Sequence, residues 1–168
     1  MYPAPFRYHR AASVEAAIRQ LSELGEGARA LAGGQSLLVW LKMRFGEVSD
    51  LVDIGRIPGL DTITQDAAGV RIGALATHAR IARSPLAKLL PIVGDCANGI
   101  ADNQVRSRGT IGGSLASGDP SCDWPVLLTT LDAKLHTQGP GGTRDLPVDG
   151  FVEDLYVTRL KPGELITG

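Results

Sequence analysis

Two glycine-rich stretches constrain the fold of this chain more strongly than any other feature of its sequence. The first is Ala32-Gly33-Gly34-Gln35-Ser36-Leu37, which separates a predicted strand over 28–32 from a predicted short helix over 37–44. Consecutive glycines permit positive φ angles and let backbone N–H groups approach a ligand, because no Cβ intervenes. A helix that begins at Leu37, with Ser36 as its N-cap, would add unpaired N–H groups that favour a pyrophosphate. The Ser36 hydroxyl could bond either to a helix N–H or to a phosphate oxygen. A tight strand-to-helix turn without a ligand remains the alternative.

The second stretch is Thr110-Ile111-Gly112-Gly113-Ser114. It lies within residues 100–123, where little helical or strand periodicity is visible, and a loop of this length inside a compact domain is usually functional. We interpret the two stretches as two halves of one dinucleotide site. Arg106 and Arg108 could offset phosphate charge, although solvated surface arginines are the commoner outcome. Asp123 precedes an apolar helix, so it is either an N-cap or an acceptor for ligand hydroxyls.

The first 55 residues predict a βαβαβ-like unit. An edge strand is expected over 6–9, and Ser13 then caps a helix that Gly25 ends. The helix carries one apolar stripe, made of Val14, Ala17, Ile18, Leu21 and Leu24. Strands over 28–32 and 48–54 enclose the short helix that follows the first glycine stretch. Trp40 on that helix could stack on an adenine, but core packing is the commoner role of a tryptophan beside leucines.

The following residues predict a second subdomain. A hairpin is expected from strands over 62–65 and 70–73 around a turn from Asp66 to Gly69. Thr77 is a candidate cap for a helix through Ile81, and further helices are expected after Pro85 and over 91–97. We expect all three histidines to be structural or exposed, because none has a partner at metal-ligand spacing.

Composition excludes several classes of function. The 168 residues are 43% hydrophobic and carry a net charge of −1 with both signs interspersed, which does not indicate a nucleic-acid surface. Residues 1–10 contain no long apolar run, so neither a signal peptide nor a membrane helix is expected there, and the predicted location is cytoplasmic. Cys96 and Cys122 are too few for a zinc or iron–sulfur site, and we expect both to be buried small residues.

Taken together, these motifs resemble the medium, FAD-binding subunit of molybdenum hydroxylases. This family includes the medium subunit of aerobic carbon monoxide dehydrogenase and the flavin domain of xanthine dehydrogenase. The resemblance rests on three groups of residues. The first is the first glycine stretch, and the second is Gln104-Val105-Arg106-Ser107-Arg108-Gly109 together with the second glycine stretch that follows it. The third is Asp119-Pro120 with Asp123-Trp124-Pro125. Phe6-Arg7-Tyr8-His9 and Leu51-Val52-Asp53-Ile54 match the family as well, so the resemblance spans nearly the whole chain.

The resemblance implies an α+β fold of the PCMH-type FAD-binding class. FAD would extend between a small N-terminal βαβαβ-like subdomain, residues 1–55, and a larger mixed α+β subdomain, residues 56–168. The resemblance assigns contact residues to each part of FAD. Its adenine, ribose and pyrophosphate end would be lined by Arg29, Ala30, Leu31, Ala32, Gly33, Gly34, Gln35, Ser36 and Leu37. The pyrophosphate and ribityl region would contact Thr110, Ile111, Gly112, Gly113 and Ser114. Asp123 would accept hydrogen bonds from hydroxyls, Ile100 would pack beside the flavin, and Ile166 would approach its ring. None of these residues is expected to be catalytic or to bind a metal.

By the same resemblance, the implied function is an electron relay. A molybdenum-containing large subunit would oxidise the substrate, an iron–sulfur small subunit would pass electrons on, and the FAD held here would reduce NAD, a quinone or oxygen. Such subunits normally continue into a further C-terminal domain, so we expect either that the chain is truncated or that the natural product is short, and in both cases that the flavin ring is poorly covered. Two alternatives stay open, namely a stand-alone flavin oxidase of the same fold and a nucleotide-binding or assembly module without redox function.

Overall fold

The computed structural model describes residues 2–67 and 69–168. In chain order the elements are β1 (Arg7–Arg10), α1 (Val14–Leu24), β2 (Ala28–Leu31), α2 (Leu37–Met43), β3 (Asp50–Asp53), β4 (Ile63–Asp66), β5 (Gly69–Ile72), α3 (His78–Arg83), α4 (Leu86–Leu89), α5 (Pro91–Gly99), α6 (Asn103–Arg108), α7 (Ile111–Ser117), α8 (Asp123–Thr130), β6 (Lys134–Gly139), β7 (Gly142–Pro147), β8 (Val152–Asp154), β9 (Val157–Thr158) and β10 (Leu165–Ile166). This mixture of helices and mainly antiparallel strands confirms the predicted α+β class. No helix in these two ranges is long and apolar enough to cross a membrane.

The N-terminal unit is the predicted βαβαβ arrangement. Its three strands are parallel and lie in the order β1-β3-β2, so β3 is central and β1 is an edge strand. Helix α1 begins because the Ser13 hydroxyl accepts a hydrogen bond from the N–H of Ala16, and it ends at Gly25, whose φ is 72°. Because the strands are parallel, their carboxyl ends lie at one edge of the sheet, and the first glycine stretch starts from that edge.

The second unit combines six helices with antiparallel strands. Strands β4 and β5 form the predicted hairpin, although its turn includes Ala68, which lies outside the described residues. Thr77 caps α3 as predicted, since its hydroxyl accepts from the N–H of Arg80. Strands β6 and β7 pair with each other, β10 adds to β6, and β8 pairs with β9. The sequence analysis made no prediction for these last five strands.

Two clusters of buried side chains form the core. The larger one surrounds Trp124 and Phe151, which are both 0% exposed, and it joins the helices of the second unit to its antiparallel sheet. The smaller one packs α1 against β3 and also includes Leu75 and Leu165 from the second unit. The two units therefore share packing across the predicted boundary at residue 55. The division into two subdomains stays a prediction.

The segment over 100–123 is not the irregular loop that the sequence analysis predicted. It contains α6 and α7, which are six and seven residues long. Each begins at a side-chain cap, because Asp102 accepts from the N–H of Val105 and Thr110 accepts from the N–H of Gly113. Helices of this length are too short to show a clear periodicity, so their caps are the usable signals in the sequence.

Candidate functional site

The first glycine stretch forms the turn between β2 and α2. Gly34 has a φ of 75°, a conformation that glycine adopts without steric cost. The carbonyls of Gly34 and Ser36 accept hydrogen bonds from the next turn of the chain, at 3.1 Å in each case. The N–H groups of Gly33, Gly34, Gln35 and Ser36 have no acceptor within the described part of the chain. The turn therefore presents four consecutive donors that a ligand could bind.

Ser36 precedes α2 as predicted, but its side chain does not cap the helix. Its backbone is already helical, with φ −99° and ψ −53°, and its hydroxyl makes no capping hydrogen bond. The hydroxyl is therefore available to a ligand. Gln35 has a different role, because its side-chain amide donates to the carbonyl of Gly33 at 3.1 Å and so braces the turn.

The backbone of the first glycine stretch lies directly against the residues before the second. A Cβ on Gly33 would stand 2.1 Å from the carbonyl oxygen of Arg108 and 2.9 Å from the Cα of Gly109. Only glycine permits this approach, because the neighbouring atoms are backbone and cannot turn aside. The two stretches, distant in sequence, thus meet at one place in the fold.

The second stretch uses most of its own N–H groups within the protein. Those of Ile111 and Gly112 donate to the carbonyls of residues 76 and 74, and those of Gly113 and Ser114 donate to Thr110. Gly112 also packs so closely on Ala74 that an added Cβ would stand 2.6 Å from its methyl group. The N–H of Thr110 has no acceptor among the described residues. The start of α7 is therefore fixed to the chain over 74–76 and leaves one backbone donor beside the first turn.

Three further residues that were predicted to contact the cofactor lie in separate parts of the fold. Arg29 is exposed, and its guanidinium donates to the carbonyls of Glu26 and Ala28 at the start of β2. Ile100 is half-buried at the end of α5. Ile166 is 6% exposed and lines, with Gly112, a mainly apolar cavity of about 110 Å³.

Asp123 is exposed and occupies the first position of α8. The N-cap is Cys122, so the alternative that made Asp123 the N-cap is wrong. A carboxylate in the first turn still suits the positive end of a helix. Its oxygens accept no hydrogen bond from the described residues, which leaves them free to accept from a ligand.

Two arginines were considered as phosphate ligands, and the guanidinium of Arg106 is already hydrogen-bonded within the protein. Its guanidinium donates to the carbonyls of residues 100 and 101 and to the side chain of Asn103, where it supports the start of α6. Arg108 is exposed, and its side chain makes no hydrogen bond or ion pair in the part of the chain that the structure describes. Arg108 is thus the one of the two that is free to approach an anion.

A buried histidine supports the backbone where the two stretches meet. The indole N–H of Trp124 donates to Nδ1 of His78 at 3.1 Å, and the His78 backbone N–H donates to the Gly109 carbonyl at 3.0 Å. Burial lowers the pKa of His78 to about 4, with the positive charge of Arg106 adding to the effect. The ring is therefore neutral at pH 7 and structural, as the sequence predicted.

The two cysteines differ from expectation, because both are half-buried rather than buried. Burial raises the pKa of Cys96 to about 11, and burial also raises the pKa of Cys122. Both thiols are therefore protonated at pH 7 and are poor nucleophiles.

Trp40 makes a contact that the sequence did not predict. It belongs to neither core cluster, and its ring meets that of Tyr156 edge to face, with centroids 5.0 Å apart. Tyr156 lies in the turn between β8 and β9 and has a φ of 59°. No local sequence signal links the two residues.

Comparisons with known proteins show the family of this chain. Residues 4–168 match the family described as the FAD binding domain in molybdopterin dehydrogenase. The carbon monoxide dehydrogenase medium chain of Hydrogenophaga pseudoflava is 42% identical over 99% of this chain and 58% of its own length. Subunit alpha of the 6-hydroxypseudooxynicotine dehydrogenase complex of Paenarthrobacter nicotinovorans is 43% identical over 99% of this chain and 56% of its own.

Solved structures show the same relationship. A carbon monoxide dehydrogenase structure from Hydrogenophaga pseudoflava superposes with a TM-score of 0.97 at 42% identity, covering 99% of this chain and 58% of that one. Quinoline 2-oxidoreductase from Pseudomonas putida 86 gives a TM-score of 0.95 at 36% identity, covering 99% of this chain and 59% of that one. The chain thus spans between half and three-fifths of the length of the relatives that it matches. It belongs to the family of FAD-binding domains of molybdopterin dehydrogenases, with a PCMH-type fold and FAD as its cofactor.

Proposed function

We propose that this protein is the FAD-binding, electron-transfer part of a molybdenum hydroxylase-type dehydrogenase. The observation that carries the proposal is the approach of Gly33 to the Arg108 carbonyl, beside four N–H groups without protein acceptors. This arrangement fits a diphosphate, because adjacent main-chain donors at a helix start can bind several phosphate oxygens at once. The family membership supplies the identity of the dinucleotide.

In this proposal the residues of the chain bind and orient the cofactor. The N–H groups of residues 33–36 and the Ser36 hydroxyl donate to the diphosphate, and the exposed carboxylate of Asp123 accepts from sugar or ribityl hydroxyls. Thr110 contributes its free N–H from the opposite side. Ile100 and Ile166 contribute apolar surface towards the flavin end.

When bound, FAD supplies the redox chemistry, since it can accept electrons singly and deliver them to a two-electron acceptor. We propose that none of the contact residues acts as a general acid, general base or nucleophile. We propose that the electrons come from the iron–sulfur clusters of a small subunit, after substrate oxidation in a molybdenum-containing large subunit. The external acceptor is NAD, a quinone or oxygen, and the proposed location is the cytoplasm. The names of the relatives, a medium chain and a subunit alpha of a complex, support a multisubunit assembly.

Anaerobic titration of the purified protein with FAD tests the proposal. We expect saturable binding, and bleaching of the flavin absorbance on addition of a one-electron donor. Binding without reduction would instead favour a nucleotide-binding or assembly module. If FAD neither binds nor protects the chain near Gly34 from proteolysis, the proposed site is wrong.

A further inference from the structure

Besides the backbone contact at Gly33, a second contact links the helices that contain or follow the two glycine stretches. Trp40 lies one turn beyond Ser36, whose carbonyl accepts its N–H at 3.1 Å. The N–H of Tyr156 donates to the carbonyl of Gly118, which ends α7, at 2.9 Å. The Trp40 and Tyr156 rings meet at right angles, with 88° between their planes. The ring pair therefore links the helix after the first stretch to the far end of the helix after the second.

These two contacts connect α2 to both ends of α7. Near the start of α7 the connection is made by backbone, where Gly33 lies against Arg108 and Gly109. Near the end of α7 the connection is made by the aromatic pair, and the seven residues of the helix separate the two by about 10 Å. In the proposed function the N–H groups of residues 33–36 bind FAD beside the backbone connection, which is fixed, whereas the aromatic connection is made of side chains that can move.

Tyr156 is an unusual residue for its position. It is the second residue of the two-residue turn between β8 and β9, and its φ of 59° is a conformation that glycine or asparagine normally supplies there. The side chain is 54% exposed, so burial does not account for the choice of tyrosine. Local geometry thus disfavours the residue that makes the contact, and such outliers are typical of functional positions.

We propose that Trp40 and Tyr156 are further cofactor-positioning residues, which close the site opposite Gly33 and slow the release of the bound dinucleotide. This inference rests on the proposed position of FAD between the two glycine stretches. A ligand that leaves past the aromatic pair must first separate the rings. Edge-to-face contact between aromatic rings is attractive beyond the surface that it buries, so its loss makes opening easier.

The release rate of FAD from loaded protein tests the inference. Tyr156→Gly removes the ring and places at φ 59° the residue that this turn prefers, so the relief of backbone strain offsets the lost ring contact and the variant is expected to fold. We expect roughly three- to tenfold faster release, followed by the recovery of flavin fluorescence on dilution. Tyr156→Phe keeps the ring and should release FAD at the wild-type rate.

Trp40→Ala should accelerate release to a similar extent. Phe45→Ala is the matched control, because Phe45 is 63% exposed just beyond the same helix and its removal leaves the ring pair intact. The double variant of Trp40 and Tyr156 should release FAD no faster than the faster single variant, since both act through one contact. Tight binding with unchanged release in Tyr156→Gly, or additive effects in the double variant, would overturn this inference and leave the proposed function intact. Failure of the wild type to bind FAD would overturn both.

Discussion

Gly33 and Arg108 approach each other so closely that one added methyl group would stand 2.1 Å from the Arg108 carbonyl oxygen. The Arg108 atoms concerned are backbone atoms at the end of α6, and the chain over 109–112 is fixed by hydrogen bonds to the chain over 74–78. Neither side of the contact can yield through a side-chain rotation. The distance between the two glycine stretches is therefore set by the absence of a Cβ at residue 33.

Gly33→Ala is expected to separate the two stretches. The backbone must shift to accommodate the methyl group, which should lower the free energy of unfolding by about 2 kcal/mol, as overpacking typically does. The dissociation constant for FAD should rise at least tenfold, because the donors of residues 33–36 move with the turn. Isothermal titration with FAD and urea denaturation measure the two effects.

Gly99→Ala provides the matched control. Gly99 ends α5, its φ is not positive, and an added Cβ meets no atom within 4 Å. This variant should bind FAD as the wild type does. Wild-type affinity in Gly33→Ala would show that the contact with Arg108 does not shape the cofactor site.

Ser36→Ala should separate ligand binding from helix capping. The Ser36 hydroxyl does not cap α2, so its removal should change the free energy of unfolding by less than about 0.5 kcal/mol. A hydroxyl that donates to phosphate contributes a hydrogen bond, and its loss should raise the dissociation constant for FAD roughly threefold to tenfold.

Ser13→Ala is the control, because Ser13 caps a helix and is not proposed to contact FAD. The Ser13 hydroxyl accepts from the N–H of Ala16 at 3.1 Å and caps α1, so its removal should cost about 1 kcal/mol of stability. FAD affinity should stay unchanged. If Ser36→Ala binds FAD normally, the Ser36 hydroxyl is not part of the site.

The sequence was sufficient for the N-terminal unit because its signals are local. Ser13 and Gly25 delimit α1, the glycine pair marks the turn after β2, and alternating elements require parallel strands. The motifs of the first and second stretches also identified the family. These features depend on residues close together in the sequence, where capping and φ preferences act.

The remaining features depend on contacts that no local signal encodes. The approach of Gly33 to Arg108 and the ring contact of Trp40 with Tyr156 bring together residues far apart in the chain. Helices α6 and α7 were missed because six or seven residues show little periodicity and only their caps identify them. The hydrogen bond from Trp124 to His78 likewise becomes visible only when α3 and α8 are packed together.

His78 should make stability depend on pH between about 4 and 6.5. Its pKa is lowered to about 4 in the folded protein, below the ordinary value of 6.5, so the unfolded chain binds the proton more readily in this range. Stability is therefore full above pH 6.5 and falls as the pH decreases towards 4, by on the order of 3 kcal/mol. Urea denaturation across this range measures the effect.

Two variants of His78 test whether its protonation causes the pH dependence of stability. His78→Asn offers a side-chain oxygen to the indole N–H of Trp124 but does not titrate, so the pH dependence between 4 and 6.5 should largely disappear. His78→Phe leaves that buried N–H without an acceptor and should lose about 1–3 kcal/mol at pH 7 as well. A wild-type pH profile in His78→Asn would assign the dependence to other groups.

Glu164 should control stability in a lower pH range. Its carboxylate accepts hydrogen bonds from Nε of Arg144 at 2.8 Å, the Thr137 hydroxyl at 2.6 Å and the Lys161 N–H at 2.8 Å, and its side chain is 3% exposed. The bond to Arg144, with those to Lys161 and Thr137, lowers the pKa of Glu164 to about 2. The stabilisation is present above the unfolded value of 4.5 and is lost as the pH falls from 4.5 towards 2.

Glu164→Gln should therefore be destabilised by about 2 kcal/mol at pH 7, and the difference from wild type should shrink at pH 2.5. The expected loss is smaller than for a fully buried pair because the Arg144 side chain is 30% exposed and can regain water. Asp145→Asn is the control, since its partner is His136 in an exposed pair, and its loss should cost no more than about 0.5 kcal/mol.

Because β10 begins at Leu165, the residue after Glu164, the Glu164→Gln variant should also loosen the strand that carries Ile166. Hydrogen exchange at residues 165–166 that is no faster in Glu164→Gln than in Asp145→Asn would mean that the ion pair does not anchor this strand.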